Sequence, residues 1–154
     1  MIETVTTEGS TWSEIPQKFE AGTPAIAEAI ALGVAVDFIE SIGIKQIEEH
    51  EVKLFDYAYE KFSSENKVTV YGPRTTGGKQ VSILTFNVEG MHAHDIATFA
   101  DQKNIQIRSG HHCAMPALKA LGLTATARMS FGIYNTEEDI DRLLDVVRFA
   151  SKLS

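Results

Sequence analysis

The apolar period of this chain changes once along its length, and that change sets the fold class. Between Thr23 and Phe62 apolar residues recur at helical spacing. From Val68 onward short β-branched stretches take over, cut by glycine or proline. In the first region Ile26, Ile30, Val34 and Phe38 share a helical face, with Ala27, Ala31 and Ala35 beside them. Charge appears there only at Glu28, Asp37 and Glu40. So wide an apolar stripe implies a helix buried on more than one side. Thr23-Pro24 predicts its start, with Thr23 as N-cap and Pro24 in the first turn, and Ser41-Ile42-Gly43 predicts its end. Gly33 falls mid-helix, where glycine costs about 1 kcal/mol against alanine. It is either a tolerated glycine or a point of close backbone approach.

A second helix is predicted over 44–62, with Ile47, Leu54 and Ala58 inward, Val52, Phe55 and Phe62 near them, and Glu48, Glu51 and Lys53 in solvent. Val68 to Tyr71 reads as a strand stopped by Gly72-Pro73, and 81–88 as its antiparallel partner across a Thr75-Thr76-Gly77-Gly78 turn. Gly77-Gly78-Lys79 lacks the spacing and the following helix of a phosphate loop. A helix over 92–103, a strand over 105–107, a helical turn over 117–121 and a strand over 127–133 follow. Asn135-Thr136-Glu137-Glu138-Asp139 then opens a terminal helix with Ile140, Leu143, Leu144, Val147 and Ala150 inward. Residues 1–22 read as irregular. The order predicts an α/β structure with a small, largely antiparallel sheet covered by helices.

A net charge of −7 disfavours nucleic acid and anionic lipid as partners. No apolar run reaches the roughly 20 residues of a membrane span, and the N-terminal residues do not resemble a signal peptide. The single cysteine excludes an internal disulfide and suits a reducing, cytoplasmic compartment.

That cysteine, Cys113, stands in Arg108-Ser109-Gly110-His111-His112-Cys113-Ala114-Met115-Pro116. Most lone cysteines are small buried hydrophobes. A cysteine among cations on a loop bounded by glycine and proline fits a different role, because nearby positive charge favours the nucleophilic thiolate. His92 and His94 are two apart and do not share a helical face, so they make a weak metal pair.

The cysteine loop closely resembles the active-site loop of pyridoxal-phosphate-dependent cysteine desulfurases, in the group with the Suf-type enzymes and selenocysteine lyase-like proteins. Phe19-Glu20-Ala21-Gly22-Thr23-Pro24, Ala127-Arg128-Met129-Ser130 and Tyr134-Asn135-Thr136 resemble further motifs of that family, in family order. The resemblance implies the C-terminal part of an aspartate-aminotransferase-type (fold type I) enzyme. Residues 1–40 would be the end of the large domain and a connecting helix, arm-like in isolation, and 41–154 the small domain. The implied reaction takes sulfur from L-cysteine, or selenium from L-selenocysteine, and leaves L-alanine, in the service of iron–sulfur cluster assembly.

By the motif match Cys113 receives the sulfur as a persulfide, Arg128 and Arg108 bind substrate, and Thr23 reaches the cofactor phosphate of the neighbouring subunit in a homodimer. His111 and His112 would shape the loop, and His94 would face a sulfur-acceptor protein. No metal is expected in the chain itself. The family's Schiff-base lysine lies in a His-Lys motif upstream of the matching region, and this chain has no His-Lys pair. The chain alone is therefore expected to be inactive and to need a large domain. A stand-alone persulfide carrier or interaction domain, and a metal module built on His94, His111, His112 and Cys113, are the competing readings.

Overall fold

The computed structural model describes residues 1–72, 74 and 82–153, so the Thr75–Gly78 turn predicted from sequence lies outside the described residues. The chain divides into two units, Met1–Ile44 and Lys45–Ser154.

The first unit is more regular at its start than its sequence suggested. Strands β1 (Ile2–Val5) and β2 (Ser10–Trp12) form an antiparallel hairpin. The Thr6 hydroxyl closes its turn, accepting from the backbone N–H of Glu8 and Gly9 at 3.2 and 3.1 Å. A local side-chain bond of this kind leaves little trace in apolar patterning. Helix α1 spans Ile26–Ile42 and begins later than Thr23-Pro24 predicts. The Ile26 N–H takes the Pro24 carbonyl in a tight turn at 2.8 Å, and the first helical bond runs from Ala29 N–H to Ala25. Ala25 is thus the N-cap and Thr23 stands outside the helix. No residue of α1 is buried, so the stripe read as covered on several sides finds no cover within its own unit. A Cβ at Gly33 would meet nothing within 4 Å, which removes the close-approach reading for the chain as described.

The second unit holds α2 (Ile44–Ser63, its first residue in the first unit), β3 (Val68–Tyr71), β4 (Ile83–Val88), α3 (Ala93–Asp101), β5 (Arg108–Gly110), α4 (Met115–Ala120), β6 (Thr126–Ser130) and α5 (Glu137–Ala150). Its sheet has the order β3-β4-β6-β5, and every pairing is antiparallel. The α/β fold with a small antiparallel sheet and covering helices is the one the sequence predicts.

Period-two alternation assigns the two sheet faces. Leu84, Phe86 and Val88 of β4 and Ala127 and Met129 of β6 are buried in one core with Leu54, Phe55, Ala58 and Phe62 of α2. Ile96 and Ala100 of α3 and Ile140, Leu143, Leu144 and Val147 of α5 complete that core. Each large side chain fully buried this way contributes about 1.5–3 kcal/mol. The rings of Phe62 and Phe86 meet edge-on, with centroids 4.9 Å apart. Helix α5 starts as its sequence predicts: the Asp139 carboxylate accepts from the Thr136 N–H at 3.1 Å in a capping box.

One strand is displaced from its sequence reading. Residues 105–107 form no strand, and β5 is Arg108–Gly110, inside the cysteine motif. Ile105 and Ile107 pack half-buried against the core, so their apolar character reflects burial rather than sheet pairing.

Candidate active site

The sheet face turned away from the helical core carries the cysteine motif. Directly paired residues of an antiparallel sheet point to the same side. Thr85, Arg128 and Arg108 lie level across β4, β6 and β5. The next row holds Thr126 paired with Gly110, and Asn87 comes level with Thr126 one step beyond the Phe86–Ala127 pair. Two arginines and a set of small polar residues thus form a platform that includes the strand leading into the loop.

Gly110 ends β5 at φ +120°, a conformation that side chains rarely adopt, and so turns the chain out of the sheet. The next four residues make a tight turn in which the Ala114 N–H donates to the His111 carbonyl at 2.8 Å. Its central residues, His112 and Cys113, have φ of +54° and +57°. That sign pattern belongs to turns usually filled by glycine, asparagine or aspartate. The turn puts Cys113 at the surface, and Arg108 Nη2 donates to its Sγ at 3.6 Å. Helix α4 follows at once and buries Leu118.

The two histidines of the loop differ. His111 is exposed, whereas the His112 ring is tucked under the turn. His112 Nε2 lies 3.1 Å from the Thr126 carbonyl oxygen and 2.8 Å from its hydroxyl. A carbonyl only accepts, so Nε2 carries the proton. Burial pushes the His112 pKa below its usual 6.5; the bond to Thr126 opposes this, and Arg128, Arg108 and His111 add to it. Among the described residues, three buried side-chain atoms have no hydrogen-bond partner: His112 Nδ1, Arg128 Nε and Asn87 Oδ1. Asn87 and Arg128 belong to the two polar rows, and His112 is bonded to Thr126, which shares its row with Asn87.

His94 reaches β5 from α3 on the helical side of the sheet: its Nδ1 lies 2.8 Å from Oγ of Ser109, the direct partner of the core residue Ala127. His92 caps α3, its Nδ1 accepting from the His94 N–H at 3.2 Å. Among the described residues, no group of three or more His, Cys, Asp or Glu is placed to hold a metal. Thr23 lies in the first unit, exposed, in the turn before α1.

The aminotransferase class-V family matches residues 1–143. The chain belongs to that family. Within it, the chain is 52% identical over 143 residues to a probable cysteine desulfurase of Halalkalibacterium halodurans, covering 93% of this chain and 34% of that protein. It is similar in structure to the apo cysteine desulfurase of Thermococcus onnurineus, with TM-score 0.84 and 42% identity over 99% of this chain and 38% of the other. The S-sulfonic acid form of the Escherichia coli cysteine desulfurase CsdA matches with the same TM-score at 33% identity, over 99% of this chain and 37% of the other. The chain thus spans about a third of the length of the relatives it matches, and what it matches is the C-terminal part of cysteine desulfurases.

For this family pyridoxal phosphate requires an amine for its aldehyde and a charged partner for its ring nitrogen. Among the described residues no lysine hydrogen-bonds or ion-pairs with Arg108, His112, Cys113 or Arg128. Lys53 and Lys61 lie 3.4 and 3.6 Å from Glu137 and Asp141, and Lys67 donates to the Ser151 carbonyl. Asp139 and Asp141 accept from Thr136 and Tyr57. The described residues do not fit the cofactor as a whole; what the face offers is two guanidiniums and a thiol.

Three residues around the cysteine loop escaped sequence reasoning: Ser109, Thr126 and Asn87. Asn87 left a faint signal, since asparagine is depleted in strand interiors. Thr126 and Ser109 are ordinary in strands and left none.

Proposed function

We propose that this chain is the sulfur-receiving, substrate-gripping portion of a cysteine desulfurase, corresponding to the C-terminal part of the complete enzyme. One observation carries the reading: the exposed Cys113 sulfur sits 3.6 Å from the Arg108 guanidinium, which is paired across the strands with Arg128. Arg128 and Arg108 take the carboxylate of L-cysteine, a task for planar charged donors. The Cys113 thiolate attacks the substrate sulfur. An S–S bond forms and the C–S bond breaks; its electron pair stays with the carbon, which takes a proton and leaves as L-alanine. L-selenocysteine fits the same grip, with selenium in the place of sulfur.

Carbanion stabilisation is the chemistry pyridoxal phosphate supplies in such enzymes. Its lysine is to come from elsewhere in the complete enzyme, a homodimer in which Thr23 serves the neighbouring subunit's cofactor phosphate. The persulfide is then handed to an acceptor protein approaching His94 and Cys113, for iron–sulfur cluster assembly in the cytoplasm.

Two measurements test the reading. Incubation with a small-molecule persulfide donor should add one sulfur atom to Cys113, seen by mass spectrometry; an unmodified Cys113 would overturn it. Titration of the chain with pyridoxal phosphate should give no stable visible absorbance band. A band stoichiometric with protein would show that the chain holds the cofactor by itself and that the split of labour is wrong.

A further inference from the structure

The turn that presents Cys113 has a conformational cost that its own residues do not relieve. His112 and Cys113 both sit at φ near +55°, a region uncommon for any residue but glycine; histidine is among the side chains enriched there and cysteine is not. Such positions cost about 1–3 kcal/mol each and persist only where surrounding contacts hold them. The turn's one backbone bond, Ala114 N–H to His111, is available to any tight turn and does not select this sign of φ. The contact particular to this loop is His112 on Thr126, fourteen residues on, at the base of β6.

We propose that His112 is the positioning residue of the loop: its Nε2–H, bonded to the Thr126 carbonyl, locks the left-handed turn that sets the Cys113 sulfur against Arg108. The proposal rests on the reading of Cys113 as the reactive sulfur and deepens it by separating the two histidines. His112 is fixed as one tautomer, with Nδ1 buried, and acts through the backbone rather than on the reacting atoms. Thr126 is fully buried and its strand is paired on both sides, so the anchor point is rigid. With the proton on Nε2, the Thr126 hydroxyl at 2.8 Å accepts from the same N–H that reaches the carbonyl at 3.1 Å.

Cys113 is the only cysteine, so its chemistry is read without ambiguity. The test compares the rate of Cys113 alkylation by iodoacetamide in the wild type, His112→Leu, His112→Gln and Thr126→Val, with folding checked by circular dichroism. A misplaced loop predicts a fall of about tenfold for His112→Leu. Glutamine can place a side-chain N–H near the Nε2 position, so His112→Gln should stay within about threefold, as should Thr126→Val, which keeps the carbonyl. Imidazole nitrogen NMR should show His112 as the Nε2–H tautomer at neutral pH. An unchanged rate in a folded His112→Leu, a loss in Thr126→Val equal to that in His112→Leu, or an Nδ1–H tautomer would each overturn the proposal. Alkylation needs neither cofactor nor persulfide. If Cys113 takes no sulfur but His112→Leu still slows alkylation, the desulfurase reading fails while the anchor stands.

Discussion

Arg108 and Arg128 face each other as direct partners across β5 and β6, on the sheet side opposite the helical core. Like charges set opposite in a sheet are destabilising, by roughly 0.2–1 kcal/mol for pairs of this kind. No carboxylate among the described residues pairs with either, in contrast to Arg74 and Arg148, which are bound to Glu60 and Glu65 at 3.0 and 2.7 Å. An anion placed between the two guanidiniums would oppose this repulsion. Arg108→Gln should therefore leave the free chain as stable as the wild type or up to about 1 kcal/mol more stable in low salt, measured by urea unfolding. A loss of stability would show that the pair is structural.

Cys113→Ser should abolish sulfur uptake from a persulfide donor, while Arg108→Gln should slow it. The Arg108 guanidinium is the one hydrogen-bond donor on the Cys113 sulfur among the described residues. Mass spectrometry over time reads both. Equal rates in Arg108→Gln and the wild type would mean that the 3.6 Å contact has no part in sulfur transfer.

His112 predicts a pH dependence of stability. Its folded pKa is lowered from 6.5, chiefly by burial. Well above 6.5 the ring is neutral in both the folded and unfolded chain and contributes no slope. Below 6.5 the unfolded chain binds the proton first, so stability falls as pH drops towards the lower folded pKa. Urea midpoints measured from about pH 7.5 down to about pH 5 should decline in the wild type, and less steeply in His112→Gln. Parallel curves would assign the decline to other groups.

Phe86→Ala should cost about 3–5 kcal/mol, the range for removing a large aromatic from a core. Phe86 is fully buried in the central strand pair and its ring meets Phe62. Phe86→Leu, which keeps most of the volume, should cost far less. Denaturant unfolding of the two variants checks the contrast.

Asp139→Ala should cost about 1 kcal/mol by opening the capping box of α5. The Asp139 carboxylate also accepts from Asn135 Nδ2 at 3.3 Å, and Asn135 in turn accepts from the Gly132 N–H at 2.9 Å. Thermal unfolding should show the loss. The Tyr134-Asn135-Thr136 motif therefore has structural work at the β6–α5 turn, whatever else it does.

Much of the second unit was legible because its signals are local. The spacing of Ile140, Leu143, Leu144 and Val147 needs only its neighbours to be read, and all four are buried as expected. The start of α5 was legible for the same reason, since a capping box is contained in four residues. Ile105 and Ile107 misled because an apolar, β-branched pair satisfies a strand and a core-facing loop equally well. The missing cover over α1 was invisible in another way: a wide apolar stripe states that a helix needs a covering surface, not where that surface is.

The sequence by itself determined the reactive inventory: one cysteine, the arginines and histidines near it, a glycine able to turn the strand, and the family to which that pattern belongs. It could do so because these are properties of residue type and short spacing. Only the tertiary structure decided that Arg108 and Arg128 stand opposite each other, and that His112 rather than His111 grips Thr126 beneath the cysteine. Those pairings depend on the register of strands separated in sequence, and register is fixed by the core packed on the far face of the sheet.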